Sequence, residues 1–237
     1  MKRLHTIGLF LATFLFTAAQ AQTADEIVSK HLAAIGGAEN WKKVNSMKME
    51  AALEVQGMEI PVSIFQLHNK GQRQEFTVMN MTGYSIITPE AGWNFNPMGG
   101  QTKPEPMTAD ELNAAKDGLD IQGDMLDYAA KGHKIELLGK EDVDGTEAFK
   151  LKLTRKSGSE VINYIDPSTY YIIRTVNKVK VNGQEVEQKV NVGNYQKLPE
   201  GIVVPFSMEM PGAPAPVNIK KVEVNPTLDP ALFKPAQ

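Results

Sequence analysis

The sequence predicts a mainly β protein with some α: a large antiparallel sheet with helices inserted into it rather than alternating with its strands. Three observations predict this. Apolar runs of strand length are separated by short breaks such as Gln56-Gly57, Asp144-Gly145 and Asn182-Gly183, which are hairpin signals. Within several runs apolar and polar residues alternate, as in Phe149, Leu151 and Leu153 against Lys150, Lys152 and Thr154. Only two long stretches open with a helix-start signal, Thr23-Ala-Asp-Glu26 and Thr108-Ala-Asp-Glu111, each a capping box in which Thr and Glu satisfy one another's free amide.

The chain begins with Lys2, Arg3 and His5, then the apolar run Ile7 to Phe16 and a small-residue site at Ala19-Gln20-Ala21. That order reads as a secretory signal peptide over 1–21, with the mature chain starting near Gln22. The run is too short to span a bilayer, and no later segment matches it without charges. The expectation is a protein exported to the periplasm, soluble and without a lipid anchor, because the chain has no cysteine to acylate or to form disulfides. Residues 22–237 are enough for a single domain.

From Thr23 the spacing of Ile27, Leu32 and Ile35 predicts a helix that Gly36-Gly37 stops. "AENWKKV" (Ala38 to Val44) predicts a second, short helix pinned by Trp41. Strands Ser46–Val55, Met58–Leu67 and Gln72–Asn80 form a meander, with Pro61 marking an edge or a bulge. Tyr84–Thr88 and Trp93–Phe95 are shorter strands, followed by the Pro/Gly-rich loop Asn96 to Met107. After the second capping box a helical stretch is expected to about Lys131, broken near Gly118 and Gly123. Leu112, Leu119, Ile121, Met125, Leu126 and Tyr128 are available for its apolar face.

The second half reads as successive hairpins: His133–Val143 with Thr146–Lys156, then Glu160–Ile165 with Tyr170–Val181 across "DPST", then Gln184–Tyr195. Ile202–Met210 and Val217–Val224 bring the expected number to ten to twelve strands. Residues 225–237 are expected to be irregular. Lysine rows on one face exclude a transmembrane barrel and predict a sheet apolar on one side only.

A formal net charge of −3, more acidic still without the two basic leader residues, argues against nucleic acid and anionic membranes as partners. No nucleophile elbow, zincin, P-loop or dinucleotide motif occurs. His31, His68 and His133 lie in different elements and read as solvated or capping residues rather than ligands. No catalytic residue, metal or cofactor is expected.

What remains is an apolar face. Methionines recur at i,i+2 in Met47/Met49, Met79/Met81 and Met208/Met210, a spacing that puts each doublet on one side of a strand. Ordinary core filling, a pliable lining for a lipid-like ligand and soft thioether ligation of Cu(I) are all consistent with them. Trp93 and Phe95 are candidates for a pocket mouth or for a plug. "MPGAPAPV" (Met210 to Val217) is a rigid connector or a surface for something apolar. With Ile64 and Leu126 these residues make up the candidate hydrophobic site: Met47, Met49, Ile64, Met79, Met81, Trp93, Phe95, Leu126, Met208 and Met210.

The order of "ADEIVSKHLAAIGGAENWKKVNSMKMEAAL" (Ala24 to Leu53), "GKEDVDGTEAFKLKLT" (Gly139 to Thr154), "YIDPSTYYIIRT" (Tyr164 to Thr175) and "LPEGIVVPFSMEM" (Leu198 to Met210) resembles the outer-membrane lipoprotein-sorting-protein-like family, which has the fold of the periplasmic lipoprotein carrier LolA. The resemblance spans nearly all of 22–237. It implies a large curved antiparallel sheet, an incompletely closed β-barrel with helices covering the concave side, and a cavity for acyl chains. The capped helix at Asp25–Ile35 and the insert at Thr108–Ala130 would be the lid. The expected function is a non-catalytic periplasmic binding or carrier protein for lipid or lipoprotein acyl chains. The alternative is a module with a solid core that binds or senses an envelope protein. A monomer is expected in either case.

Overall fold

A computed structural model describes residues 22–181, 184–210 and 215–236. The leader segment, the Asn182-Gly183 turn and residues 211–214 of the proline loop lie outside the described residues. The strands are β1 (Ser46–Val55), β2 (Met58–Leu67), β3 (Gly71–Val78), β4 (Met81–Ile87), β5 (Gly92–Phe95), β6 (Glu105–Pro106), β7 (Lys134–Val143), β8 (Thr146–Thr154), β9 (Glu160–Ile165), β10 (Ile172–Val181), β11 (Gln184–Lys197), β12 (Val203–Glu209) and β13 (Val217–Val224). All belong to one antiparallel sheet in the order β6-β5-β4-β3-β2-β1-β13-β12-β11-β10-β9-β8-β7, curved and not closed into a barrel.

This order follows from two meanders. The chain starts at the middle of the sheet, runs outward to the edge strand β6, and resumes at the opposite edge, β7. It then returns strand by strand until β13 pairs with β1, Met49 opposite Val222. Every other neighbour pair is joined locally, as the hairpin signals require. One consequence governs the rest of the molecule: residues 107–133 connect opposite edges of the sheet.

Hairpin turns are built as the sequence requires. Asp144 and Gly145 have φ of 51° and 88°, and Gln56 and Gly57 have 52° and 76°, the paired left-handed geometry of a tight turn. Pro61 pairs with Ala52 of β1, while the β2–β3 ladder ends at Val62 opposite Phe76. Its missing N–H therefore falls where β2 has lost its second neighbour.

Among the described residues three α-helices accompany the sheet: α1 (Ala24–Ala34), α2 (Ala38–Trp41) and α3 (Ala109–Lys116). Both capping boxes form; the Glu26 amide donates to Thr23 Oγ1 at 3.2 Å, and the Glu111 amide to Thr108 Oγ1 at 3.3 Å. Gly36, at φ 105°, ends the first helix where a Cβ would lie 2.2 Å from the Gly201 carbonyl oxygen, so only glycine lets α1 approach β12 this closely. Among the described residues no helix is long and apolar enough to cross a membrane.

Two expectations are corrected. The helical stretch to Lys131 ends at Lys116; a 3-10 turn (Asp117–Leu119) and irregular turns follow. Gly118, Asp120 and Gly123 supply local side-chain and backbone turns that compete with helix. The tail is not wholly irregular. Pro230–Phe233 form a 3-10 turn capped by Asp229, and Phe233 packs on the outer face over Gly71.

Candidate functional site: the covered inner face of the sheet

The inner face carries two apolar clusters. One joins Met47, Ala51, Val62, Ile64, Val204, Phe206 and Ile219 of the central strands to Trp41 and Leu126. The other joins Phe149, Leu151, Leu153, Val161 and Ile165 of β8 and β9 to Ile27 and Val28 of α1 and to Met125. α1 supplies most of the cover over the second cluster, whereas the first is covered jointly by Leu126 and Ile121 of the irregular segment 117–132, by Trp41 of α2 and by Leu32 and Ile35 at the end of α1. Met125 and Leu126, adjacent in sequence, enter different clusters.

Polar ties fix this cover at several points. The Asn69 amide donates to the Leu119 carbonyl at 2.8 Å, and Gln122 Nε2 donates to the Val44 carbonyl at 3.1 Å. Lys131 Nζ holds Asp120 Oδ2 at 2.5 Å and the Gly123 carbonyl at 2.8 Å. Arg155, just past β8, grips Asp124 through Nη2 at 2.7 Å and Nε at 3.1 Å, and reaches Asp117 at 3.2 Å. Ser159 Oγ donates to Asp117 at 2.6 Å. A two-pronged guanidinium–carboxylate pair is the strongest and most directional tie in the set. Tyr128 completes the series by donating to Asp25 of α1, which raises the tyrosine pKa chiefly through that bond.

Around Arg155 the cover leaves a polar cavity of about 390 Å³, to which Asp117, Asp120, Asp124, Ser159, Asn177 and Gln188 contribute. α3, by contrast, buries none of its residues. It approaches the sheet at Gly92, where a Cβ would meet Met107 Sδ at 2.5 Å and Leu112 at 3.2 Å. Around the first cluster Met49, Phe76, Met208, Val217, Val222 and Val224 remain partly exposed.

The candidate residues therefore divide into three groups. Met47, Met49, Ile64, Leu126 and Met208 meet in the first cluster. Met79, Met81 and Met210 do not: they are 80%, 40% and 40% exposed at strand ends. The Met79/Met81 pair does not share a strand face, because Met79 and Asn80, at φ 48° and 63°, are the β3–β4 turn itself. Met58, 52% exposed, lies at the same end of the sheet.

Trp93 and Phe95 are on the opposite face from Met49. The row through Met49, Ile64 and Gln74 continues to Ser85 and Asn94, whereas Phe65, Arg73, Ile86 and Trp93 form the adjacent, outer row. Both aromatics line an outer cleft of about 390 Å³ shared with Tyr84, Pro104 and Pro235. Arg73 sits 4.1 Å over the Tyr84 ring there, and the Ala236 amide donates to the Tyr84 hydroxyl at 3.1 Å. The tail that lines the cleft has no sequence signal tying it to these strands.

His31, read from the sequence as solvated or capping, is not solvated: it is buried on α1, and its Nδ1 meets the Tyr170 carbonyl at 2.8 Å. Desolvation lowers its pKa, against the opposing effect of that hydrogen bond. His31 stands one turn after the buried Ile27 and Val28, a helical spacing that could have placed it on the inner stripe. His133 accepts from the Lys156 amide at 3.1 Å through Nδ1 and faces Asp124 at 3.8 Å, so it belongs to the Arg155 group. Sequence reasoning missed that group entirely, since its members are dispersed along the chain.

No family model matches this chain, and no curated protein does. Solved structures do. A LolA superfamily protein from Nitrosomonas europaea superposes with a TM-score of 0.55 at 15% identity, over 90% of this chain and 99% of that one. A putative outer membrane lipoprotein-sorting protein domain from Vibrio parahaemolyticus gives 0.51 at 14% identity, over 88% and 94%. A DUF1329 family protein from Desulfovibrio piger gives 0.50 at 12% identity, over 90% and 98%. The fold of this protein is LolA-like.

Proposed function

We propose that this protein is a non-enzymatic periplasmic carrier or binding protein for an acyl-bearing lipid or lipoprotein. The observation that carries the reading is the incomplete cover over the central strands. Met49, Phe76, Met208 and Val217 stay partly exposed around a buried centre, beneath a cover that reaches down through Leu126, Trp41, Leu32 and Ile35 rather than through one continuous helical stripe. The name of the Vibrio neighbour, a lipoprotein-sorting domain, supports the same class. Residues 1–21 act as the export signal, and residues 22–237 form a single domain.

Met47, Met49, Ile64, Leu126 and Met208 form the wall against which acyl chains lie. Met79, Met81 and Met210 stand at the rim, and Trp93 and Phe95 lie outside the hollow. Burial supplies about 0.8 kcal/mol per methylene, so a dozen methylenes gain on the order of 10 kcal/mol before the costs of association. Unbranched thioethers adapt to chains of differing length and unsaturation.

The test is native mass spectrometry of protein recovered from its own periplasm without detergent, followed by solvent extraction. An adduct of acyl-lipid mass is expected, released on extraction and displaced by a fluorescent fatty acid. A clean apo mass together with no uptake of the fluorescent acid would leave a partner-binding module with a solid core.

A further inference from the structure

Within the inner wall one side chain is out of place for a purely apolar hollow. Asn163 projects between Val161 and Ile165 of β9, on the face those two share with Leu151, Leu153 and α1. It is 6% exposed, yet among the described residues no hydrogen bond reaches its carboxamide. Its polar atoms are not sealed either; the one fully buried side-chain atom without a partner there is His68 Nδ1. The carboxamide is thus held in an apolar wall with polar atoms that solvent or a ligand can still reach.

Asn163 begins a strip. It pairs with Thr175 across β9–β10; two residues along, Asn177 pairs with Val161 and with Gln188 of β11. Val176, between Thr175 and Asn177, points to the outer cluster, so Thr175 and Asn177 share the inner face with Asn163. The strip contains amides and a hydroxyl and no charge. At its far end Asn177 and Gln188 open into the polar cavity around Arg155.

Resting on the carrier reading, we infer that Asn163, with Thr175 and Asn177, binds the carbonyl linkage at the head of an ester- or amide-linked acyl chain. The chains lie on the methionine wall, and the polar head occupies the cavity beside Arg155. An amide N–H and a hydroxyl donate to a carbonyl oxygen, whereas an ether oxygen or a bare alkane gives them a poor partner or none. The strip thereby selects acyl over alkyl ligands.

The experiment uses two probes at concentrations where they are monomeric, dioctanoyl phosphatidylcholine and its di-O-octyl ether analogue, with wild type and Asn163→Leu. Wild type is expected to bind the ester roughly five- to tenfold more tightly, the effect of about one hydrogen bond. Asn163→Leu should bring the ratio to about one and retain ether binding. Equal affinities in wild type, or an ester preference that survives Asn163→Leu, would overturn the strip and leave the carrier reading standing. Binding of neither probe by wild type would overturn both. A diacylated lipopeptide of matched chain length then shows whether a lipid or a protein bears the linkage.

Discussion

The two halves of the inner face are built from the same kind of strand but covered differently. Over β8 and β9, α1 lays down Ile27 and Val28, and Leu151, Leu153 and Ile165 beneath are all 0% exposed. Over β1, β2, β12 and β13 the cover is pieced together from Leu126 in the turns, Trp41 of the short α2 and Leu32 and Ile35 at the end of α1, and a ring of partly exposed aliphatic and thioether side chains surrounds the buried centre. A helix repeats its apolar positions every three to four residues and so seals a continuous stripe. A chain of turns spends its backbone on local hydrogen bonds and reaches down at isolated points. One half is closed mainly by a single helix; the other keeps partly exposed side chains around its buried centre.

Matched truncations sharpen this contrast. Leu153→Ala, in the closed half, should cost about 3 kcal/mol of unfolding free energy, the deleted methyls plus a cavity no neighbour can fill. Leu126→Ala should cost less, about 2 kcal/mol, because the partly exposed side chains that ring its cluster can relax toward the gap, and uptake of a fluorescent fatty acid should rise. Urea denaturation and probe titration of both variants give the answer. Equal stability losses with reduced uptake in Leu126→Ala would make the two halves a single core.

Why the halves differ was only partly legible in the sequence. Period-two alternation and paired turn residues displayed the strands, and the two capping boxes displayed the helix starts, because those signals act over a few residues. Strand neighbours were legible wherever a hairpin joined them. The edges were not, since the pairing of β1 with β13 is a contact between residues far apart in sequence. Knowing that β6 and β7 are opposite edges turns residues 107–133 from a loop into the cover. Met79 and Met81 misled because i,i+2 spacing assigns a shared face only inside a strand, and Asn80 closes a turn there. Trp93 and Phe95 misled because alternation separates two faces without saying which is inner. Arg155, Asp117 and Asp124 left no pattern, as ion-pair partners need no fixed spacing.

The attachment of the cover is the next point of strain. Arg155→Gln removes the grip on Asp124 and Asp117 and leaves two partly buried carboxylates without their cation. A loss of about 1–2 kcal/mol is expected. The more diagnostic change is local: amide exchange should quicken through residues 117–132 while β8, β9 and α1 keep their protection. Exchange that quickens equally in both halves would mean that the cover and α1 open as one unit.

The smallest effect expected lies in the closed half and depends on pH. His31 is buried there with its Nδ1–H donated to the Tyr170 carbonyl, and desolvation holds its pKa below the ordinary value. The folded protein therefore binds this proton less readily than the unfolded chain, whose histidine titrates near about 6.5. Its contribution is fully present above that value and is lost as pH falls below it toward the lower folded pKa. Stability measured by urea at pH 7.5, 6.5 and 5.5 should decline across that series. In His31→Gln, which keeps a donor for Tyr170, the decline should be shallower by the histidine's share. If the variant fell as steeply as wild type, His31 would not be the source of the acid sensitivity, and the closed half would carry no pH-dependent tie of its own.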